Sequence, residues 1–188
     1  MILYWMAAYL IGNFLTAWWI GKWKGVDLQQ HRSGNLGARN AGAVIGKTAF
    51  LLTFIGDALK AAAVIWLGYY LEYAQWVIGV GGLLVICGHL FPFWLKGKGG
   101  KGIASFIGAS LYFTPELFAI MFVVFLLFFP FVKSATLTML FAMAAYIIGI
   151  FIVGEMLDWW PMAAAIFLIL AKHRNDIAES FHQRFSKA

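Results

Sequence analysis

"TAFLLTFIGDALKAAAVIWLGYYL", residues 48–71, decides the fold class, because its only charges are Asp57 and Lys60. A helix needs about 20 apolar residues to cross a bilayer, and this run is long enough. Working outward, similar runs recur at 1–21, 75–95, 116–131 and 134–154, with shorter ones at 103–113 and 159–171. The 188-residue chain is 63% hydrophobic and 12% charged, whereas a soluble domain is roughly half apolar. The chain reads as an integral membrane protein. In lipid every backbone polar group needs an internal partner, and long continuous apolar runs supply helices rather than alternating barrel strands. The expected fold is all-α, a polytopic membrane helix bundle forming a single domain over 1–188.

Charge gives the topology. Lysine and arginine cluster at 22–47, at 96–101, at Lys133, and in the tail at Lys172, Arg174, Arg184 and Lys187, while the other connections carry only Glu72, Glu116, Glu155 and Asp158. If all seven runs cross, these two sets fall on opposite sides. By the positive-inside bias this predicts seven transmembrane helices, two of them short, with the amino terminus outside and the tail in the cytoplasm. The first run has Lys22 and Lys24 behind it and no basic residue ahead, the reverse of a secretory signal. It is expected to remain as a helix. Cys87 stands alone, so no intrachain disulfide is available.

The polar residues left over gather where the cations are. In "RSGNLGARNAG", 32–42, three glycines alternate with Ser33, Asn35, Arg39 and Asn40; "KGKGGKG", 96–102, packs Lys96, Lys98 and Lys101 among Gly97, Gly99, Gly100 and Gly102. Glycine exposes backbone amides and lysine adds charge, a combination that favours phosphate. Neither stretch has Walker spacing. "AKHRNDIAES", 171–180, places His173, Arg174 and Asp176 at the end of the last run, and histidine is the natural proton carrier near neutral pH. His89 lies just ahead of Phe91 and Pro92, His31 and His182 have polar neighbours, and no metal-ligand spacing occurs. Asp57 and Lys60, three apart, share one helical face. Either they neutralise each other or Lys60 adds charge to the anion site. These residues describe a membrane protein whose cytoplasmic mouth holds phosphate beside acyl chains. They leave an acyltransferase, a noncatalytic phospholipid binder and an anion transporter open, the last disfavoured because the polar residues sit on one side only.

In order and spacing these segments resemble the bacterial acyl-phosphate:glycerol-3-phosphate acyltransferases, the PlsY family. "SGNLGARN" is similar to the family's S-G-N-x-G-A-T-N, "GHLFPFWLKGKGGKGIAS" to G-H-x-F-P-x-x-x-x-F-K-G-G-K-G-V-A-T, and "HRNDI" to H-R-x-N-I. The resemblance implies transfer of an acyl group from acyl phosphate to the 1-hydroxyl of glycerol 3-phosphate, by direct attack, in the bacterial cytoplasmic membrane. It implies no metal or organic cofactor, and partners limited to those two substrates and membrane lipids, with no nucleic acid. His173, Ser134 and Asp176 are the implied catalytic residues. Ser33, Gly34, Asn35, Arg39, Asn40, Lys60, His89, Lys98, Gly99, Gly100, Lys101 and Arg174 are the implied substrate-binding set. The chain departs from the family pattern at Arg39, where Thr is usual, at Ala43, where Arg is usual, and at Leu137, Asp176 and Glu179. The two acids add negative charge beside a phosphate site, which opposes anion binding.

Overall fold

The computed structural model describes residues 1–185 and is helical throughout; Lys187, counted above with the tail cations, lies outside them. Its helices are α1 (Ile2–Gly12), α2 (Thr16–Trp23), α3 (Ala38–Val44), α4 (Lys47–Tyr70), α5 (Gln75–Leu90), α6 (Ile103–Phe113), α7 (Pro115–Val132), α8 (Ala135–Val153) and α9 (Met156–Phe185), with short 3-10 turns at Leu28–Gln30 and Phe93–Leu95. Local chemistry sets the ends. Pro115 opens α7, the Ser134 hydroxyl caps α8, and Gly154 closes α8 in the left-handed region, φ 81°. Four segments are long and apolar enough to cross a membrane: Lys47–Tyr70, Gln75–Leu95, Pro115–Val132 and Ala135–Val153.

One expectation needs correction. The run 1–21 is not one helix but two, broken at Asn13. The Asn13 amide nitrogen donates to Tyr9 O (2.7 Å), its Oδ1 accepts from Phe93 N (2.9 Å), and its carbonyl accepts from Trp94 Nε1 (3.2 Å). The freed carbonyls of Gly12 and Phe14 accept from Lys60 Nζ at 3.2 and 2.5 Å. A helix can break at membrane depth when buried neighbours satisfy its backbone in this way. The short run 159–171, for its part, is the first half of the long α9, whose second half carries the polar tail.

Helices without a hydrophobic driving force between them associate where small residues let backbones approach. Gly12 and Gly88 meet in this way between α1 and α5: a Cβ on Gly12 would lie 2.2 Å from Val85 O, and one on Gly88 2.1 Å from Tyr9 O. Around these contacts α5 packs on α1 and α9, α4 on α6, and α7 on α8. The core so formed includes Tyr4, Ile65, Ile78, Ile86, Phe106, Tyr146 and Ile166. Helix α7 is the most exposed of the candidate spans.

One end of the bundle collects the cation-bearing segments. Gln29 donates to Lys98 O (3.4 Å), Lys172 to Gly97 O (3.1 Å), Arg39 to Thr136 Oγ1 (3.4 Å) and Arg184 to Phe131 O (3.3 Å). At the opposite end Met1 reaches Tyr73 (3.0 Å). The long connection 22–47 therefore has structure of its own: Asp27 caps the first 3-10 turn, and α3 follows.

Candidate active site

At that end a cavity of about 920 Å³ opens between α3, α4, α6, α7, α8 and α9. Its mouth is polar, lined by Arg32, Ser33, Asn35, Arg39, Asn40, Lys101, His173 and Asp176. Its inner arm is apolar, lined by Phe106, Ile107, Phe118, Met121, Phe122, Phe125, Met139 and Met143. A second hollow of about 360 Å³ adjoins it, lined by Gln29, Ser33, Gly34, Asn35, Lys98, Gly99, Gly100, Lys101 and Lys172. Ser33, Asn35 and Lys101 belong to both walls, so the two spaces adjoin at these residues.

The glycine-rich loop works differently from the sequence expectation. Four of its amides are turned inward rather than offered to an anion: Gly97 N donates to Pro92 O (3.0 Å), Lys98 N to Leu95 O (3.1 Å), Gly99 N to Leu90 O (3.3 Å) and Gly100 N to His89 O (3.0 Å). Gly99 and Gly100 are there because the loop lies flat on His89. A Cβ at Gly99 would stand 2.0 Å from His89 O, and one at Gly100 2.0 Å from His89 Nε2. The loop thereby fixes the backbone from which Lys101 projects into the cavity.

Beneath it lies a buried ionic cluster. Lys60 Nζ is 3.0 Å from Asp57 Oδ1 and 2.9 Å from His89 Nδ1, and Thr16 Oγ1 donates to Asp57 at 3.1 Å. Lys60 was expected among the substrate-binding residues. Instead it lies outside both cavities, its ammonium surrounded by protein acceptors, and it ties the α1–α2 break to the floor of the site. Ser134 is likewise outside both: its hydroxyl accepts from Leu137 N (3.4 Å) as the cap of α8. Arg174 lies on the exposed side of α9.

His173 is buried, 6% exposed, and its Nδ1 donates to Ile169 O one turn back (2.9 Å). That bond selects the tautomer whose Nε2 is a free acceptor. Burial pushes the imidazole below its ordinary value, with Lys101 and Arg39 acting in the same direction against Asp176 and the Ile169 carbonyl. Neutral at physiological pH, it suits general-base work. Asp176, on the same face of α9, forms an ion pair with Lys101. Asn40 donates to Leu28 O (3.0 Å), and its Oδ1 has no protein partner. Among the described residues no group of His, Cys, Asp and Glu is arranged to hold a metal.

Sequence reasoning missed Thr136, Arg32 and Lys172. Thr136, two residues past the cap, turns toward Arg39 where the resemblance pointed to Ser134. Lys172 lies 4.4 Å over the Phe91 ring, and burial lowers its ammonium.

The glycerol-3-phosphate acyltransferase family model matches residues 2–183. The chain belongs to that family. Relatives include glycerol-3-phosphate acyltransferase 1 of Bacillus cereus, 43% identical over 135 residues, 71% of this chain and 74% of that one. The glycerol-3-phosphate acyltransferase of a Synechococcus species is 33% identical over 173 residues, covering 90% and 85%. Among solved structures the chain is similar to PlsY, an integral membrane glycerol 3-phosphate acyltransferase, in its glycerol 3-phosphate form (TM-score 0.89, 28% identity, 97% of this chain and 92% of that one). The lysophosphatidic acid form of the same enzyme gives a TM-score of 0.86. Membership accounts for a cavity with a cationic mouth and a hydrocarbon arm, since the family name joins a phosphate-bearing acceptor to an acyl group.

Proposed function

We infer that the protein is a glycerol-3-phosphate acyltransferase that takes its acyl group from acyl phosphate. The single observation that carries this is the continuity of the large cavity: its wall passes from Arg39, Lys101 and His173 to Phe106, Phe122 and Met143 without a break. Acyl phosphate fits that continuity, with its chain in the apolar arm and its mixed anhydride at the mouth. Glycerol 3-phosphate enters from the polar side. The cavity and the adjoining hollow together offer room for two phosphates, with Lys101 between them.

The chemistry needs little from the protein beyond placement and charge. Nε2 of His173 accepts the proton of the 1-hydroxyl as the oxygen attacks the acyl carbonyl; the C–O bond to phosphate breaks, and inorganic phosphate leaves. Arg39 and Lys101 stabilise the charge on the departing phosphate. Asn40 Oδ1, Ser33 and Asn35 are acceptors and donors for glycerol hydroxyls and phosphate oxygens. Ser134 acts indirectly, by capping the helix that presents Thr136 to Arg39.

The placement in the cell follows the charge distribution. Seven crossings are proposed, with α1 and α2 together, α6 and the apolar half of α9 completing the four long spans, the amino terminus outside, and the mouth and tail at the cytoplasmic face of a bacterial membrane. The whole chain is one domain. No nucleic acid and no cofactor is required. The test is an assay of purified protein with glycerol 3-phosphate and either acyl phosphate or acyl-CoA. Lysophosphatidate and inorganic phosphate in equal amounts from acyl phosphate, and none from acyl-CoA, support the reading; product from acyl-CoA alone, or no product, defeats it.

A further inference from the structure

We propose that Asp176 is a built-in competitor of phosphate: its carboxylate occupies Lys101 until an anion takes its place, and this sets how readily the site lets phosphate go. The proposal rests on the acyltransferase reading above.

The geometry divides the pair into a fixed and a movable part. The Lys101 backbone is held down by the bonds of Gly99 and Gly100 to Leu90 and His89, so what can swing is its four-carbon stem. Asp176 stands on a rigid helix, one turn beyond His173 and on the same face, since both line the cavity. The side chains of Lys101 and Asp176 are 25% and 29% exposed, enough for water and an incoming anion to reach them. A carboxylate oxygen and a phosphate oxygen ask the same thing of an ammonium group, a short charge-assisted hydrogen bond. They also repel each other, so a phosphate on Lys101 either displaces Asp176 or binds against its charge. Glu179, one turn further along the cavity wall, already accepts from Gln183 Nε2 at 3.0 Å, which leaves Asp176 as the acid directly on the shared lysine.

The consequence for turnover is specific. Inorganic phosphate and glycerol 3-phosphate both meet a weakened site, while the proton acceptor in the attack is His173 and not the carboxylate. Asp176 is therefore a positioning residue that exchanges affinity for release.

The experiment compares wild type with Asp176→Asn and Asp176→Glu, using inorganic phosphate as the probe in two ways: as an inhibitor of turnover, and as a ligand that raises the melting temperature of purified protein. Asp176→Asn is expected to bind phosphate about tenfold more tightly in both readouts and to lower KM for glycerol 3-phosphate. Asp176→Glu, which keeps the charge, should bind phosphate no more tightly than wild type in the melting readout. Unchanged or weaker phosphate binding in Asp176→Asn overturns the proposal, and so does a collapse of kcat at constant KM, which would make the carboxylate part of the chemistry. The melting readout needs no turnover. Tighter phosphate binding by Asp176→Asn in a protein that makes no lysophosphatidate would uphold the competitor and reject the acyltransferase.

Discussion

Replacing Gly100 by alanine isolates the role of the glycine-rich loop. The new Cβ would lie 2.0 Å from His89 Nε2, 2.6 Å from Cε1 and 3.0 Å from Cδ2, while carbon atoms in contact sit about 3.5–4.0 Å apart. Something must move by about 1.5 Å. His89 cannot easily yield: it is 2% exposed, and its Nδ1 is 2.9 Å from Lys60, which also holds Asp57 and two carbonyls of the α1–α2 break. The loop must lift instead, losing the Gly100 and Gly99 bonds to His89 and Leu90. Two backbone hydrogen bonds at about 1 kcal/mol each, with packing strain of about 1–2 kcal/mol, give a destabilisation of about 3–4 kcal/mol. Lys101, next in the chain, is carried away from the shared wall, and a misplacement of about 1 Å can cost about a hundredfold in rate. The assay measures kcat/KM for glycerol 3-phosphate together with the melting midpoint in detergent. Gly97→Ala is the control: its backbone is left-handed, φ 74°, but a Cβ there meets only Phe91 Cδ1 at 4.0 Å, so its cost is about 1–2 kcal/mol of backbone strain. Wild-type activity in Gly100→Ala, or a larger loss in Gly97→Ala, would refute the reasoning.

Three further outcomes follow from the same geometry. Because a base acts in its neutral form and burial lowers the His173 imidazole, kcat/KM should rise with pH through a midpoint below about 6.5 and stay level above it. His173→Gln should remove that step and cost about 10²–10⁴ in kcat; a midpoint above the ordinary imidazole value would count against the assignment. Lys60→Met strands Asp57 in the protein interior and should destabilise by about 3–5 kcal/mol, with Lys60→Met/Asp57→Leu recovering a large part. A single variant that melts like wild type would mean the cluster does not hold the break. Met139→Trp, which narrows the apolar arm, should favour short acyl phosphates over long ones by about tenfold, read from relative kcat/KM; an unchanged chain-length profile would place the acyl chain elsewhere.

Much of this architecture was legible in the residues. The runs at 48–71, 75–95, 116–131 and 134–154 are long and mostly apolar, so length and apolarity locate the four long spans. Run 1–21 misled because Asn13 breaks the helix only through partners far along the chain, Phe93, Trp94 and Lys60, and no local pattern announces them. The site was half legible. Residue type pointed to Ser33, Asn35, Arg39, Asn40, His89, Lys101, His173 and Asp176, all of which line the cavity. The purpose of the glycines was misread, since flexibility at 97–102 looks the same in sequence whether amides face a ligand or the loop lies on a histidine. Lys60 and Ser134 were drawn in for similar reasons: a charge on an apolar helix and a hydroxyl before one suit either a site or a scaffold, and only the packing distinguishes them. Thr136 could have been found by noting that it shares the first turn of α8 with the capping Ser134.

The central claim is that one cavity joins a cationic mouth to a hydrocarbon arm between α6, α7 and α8, and an acyl phosphate analogue with a photoreactive diazirine along its chain tests it most directly. After irradiation and peptide mapping by mass spectrometry, label should appear within residues 103–143, on Met121, Phe122, Met139 or Met143, and should fall when unmodified acyl phosphate competes. Label spread over the outer faces of α1 and α5, insensitive to competitor, would contradict the account.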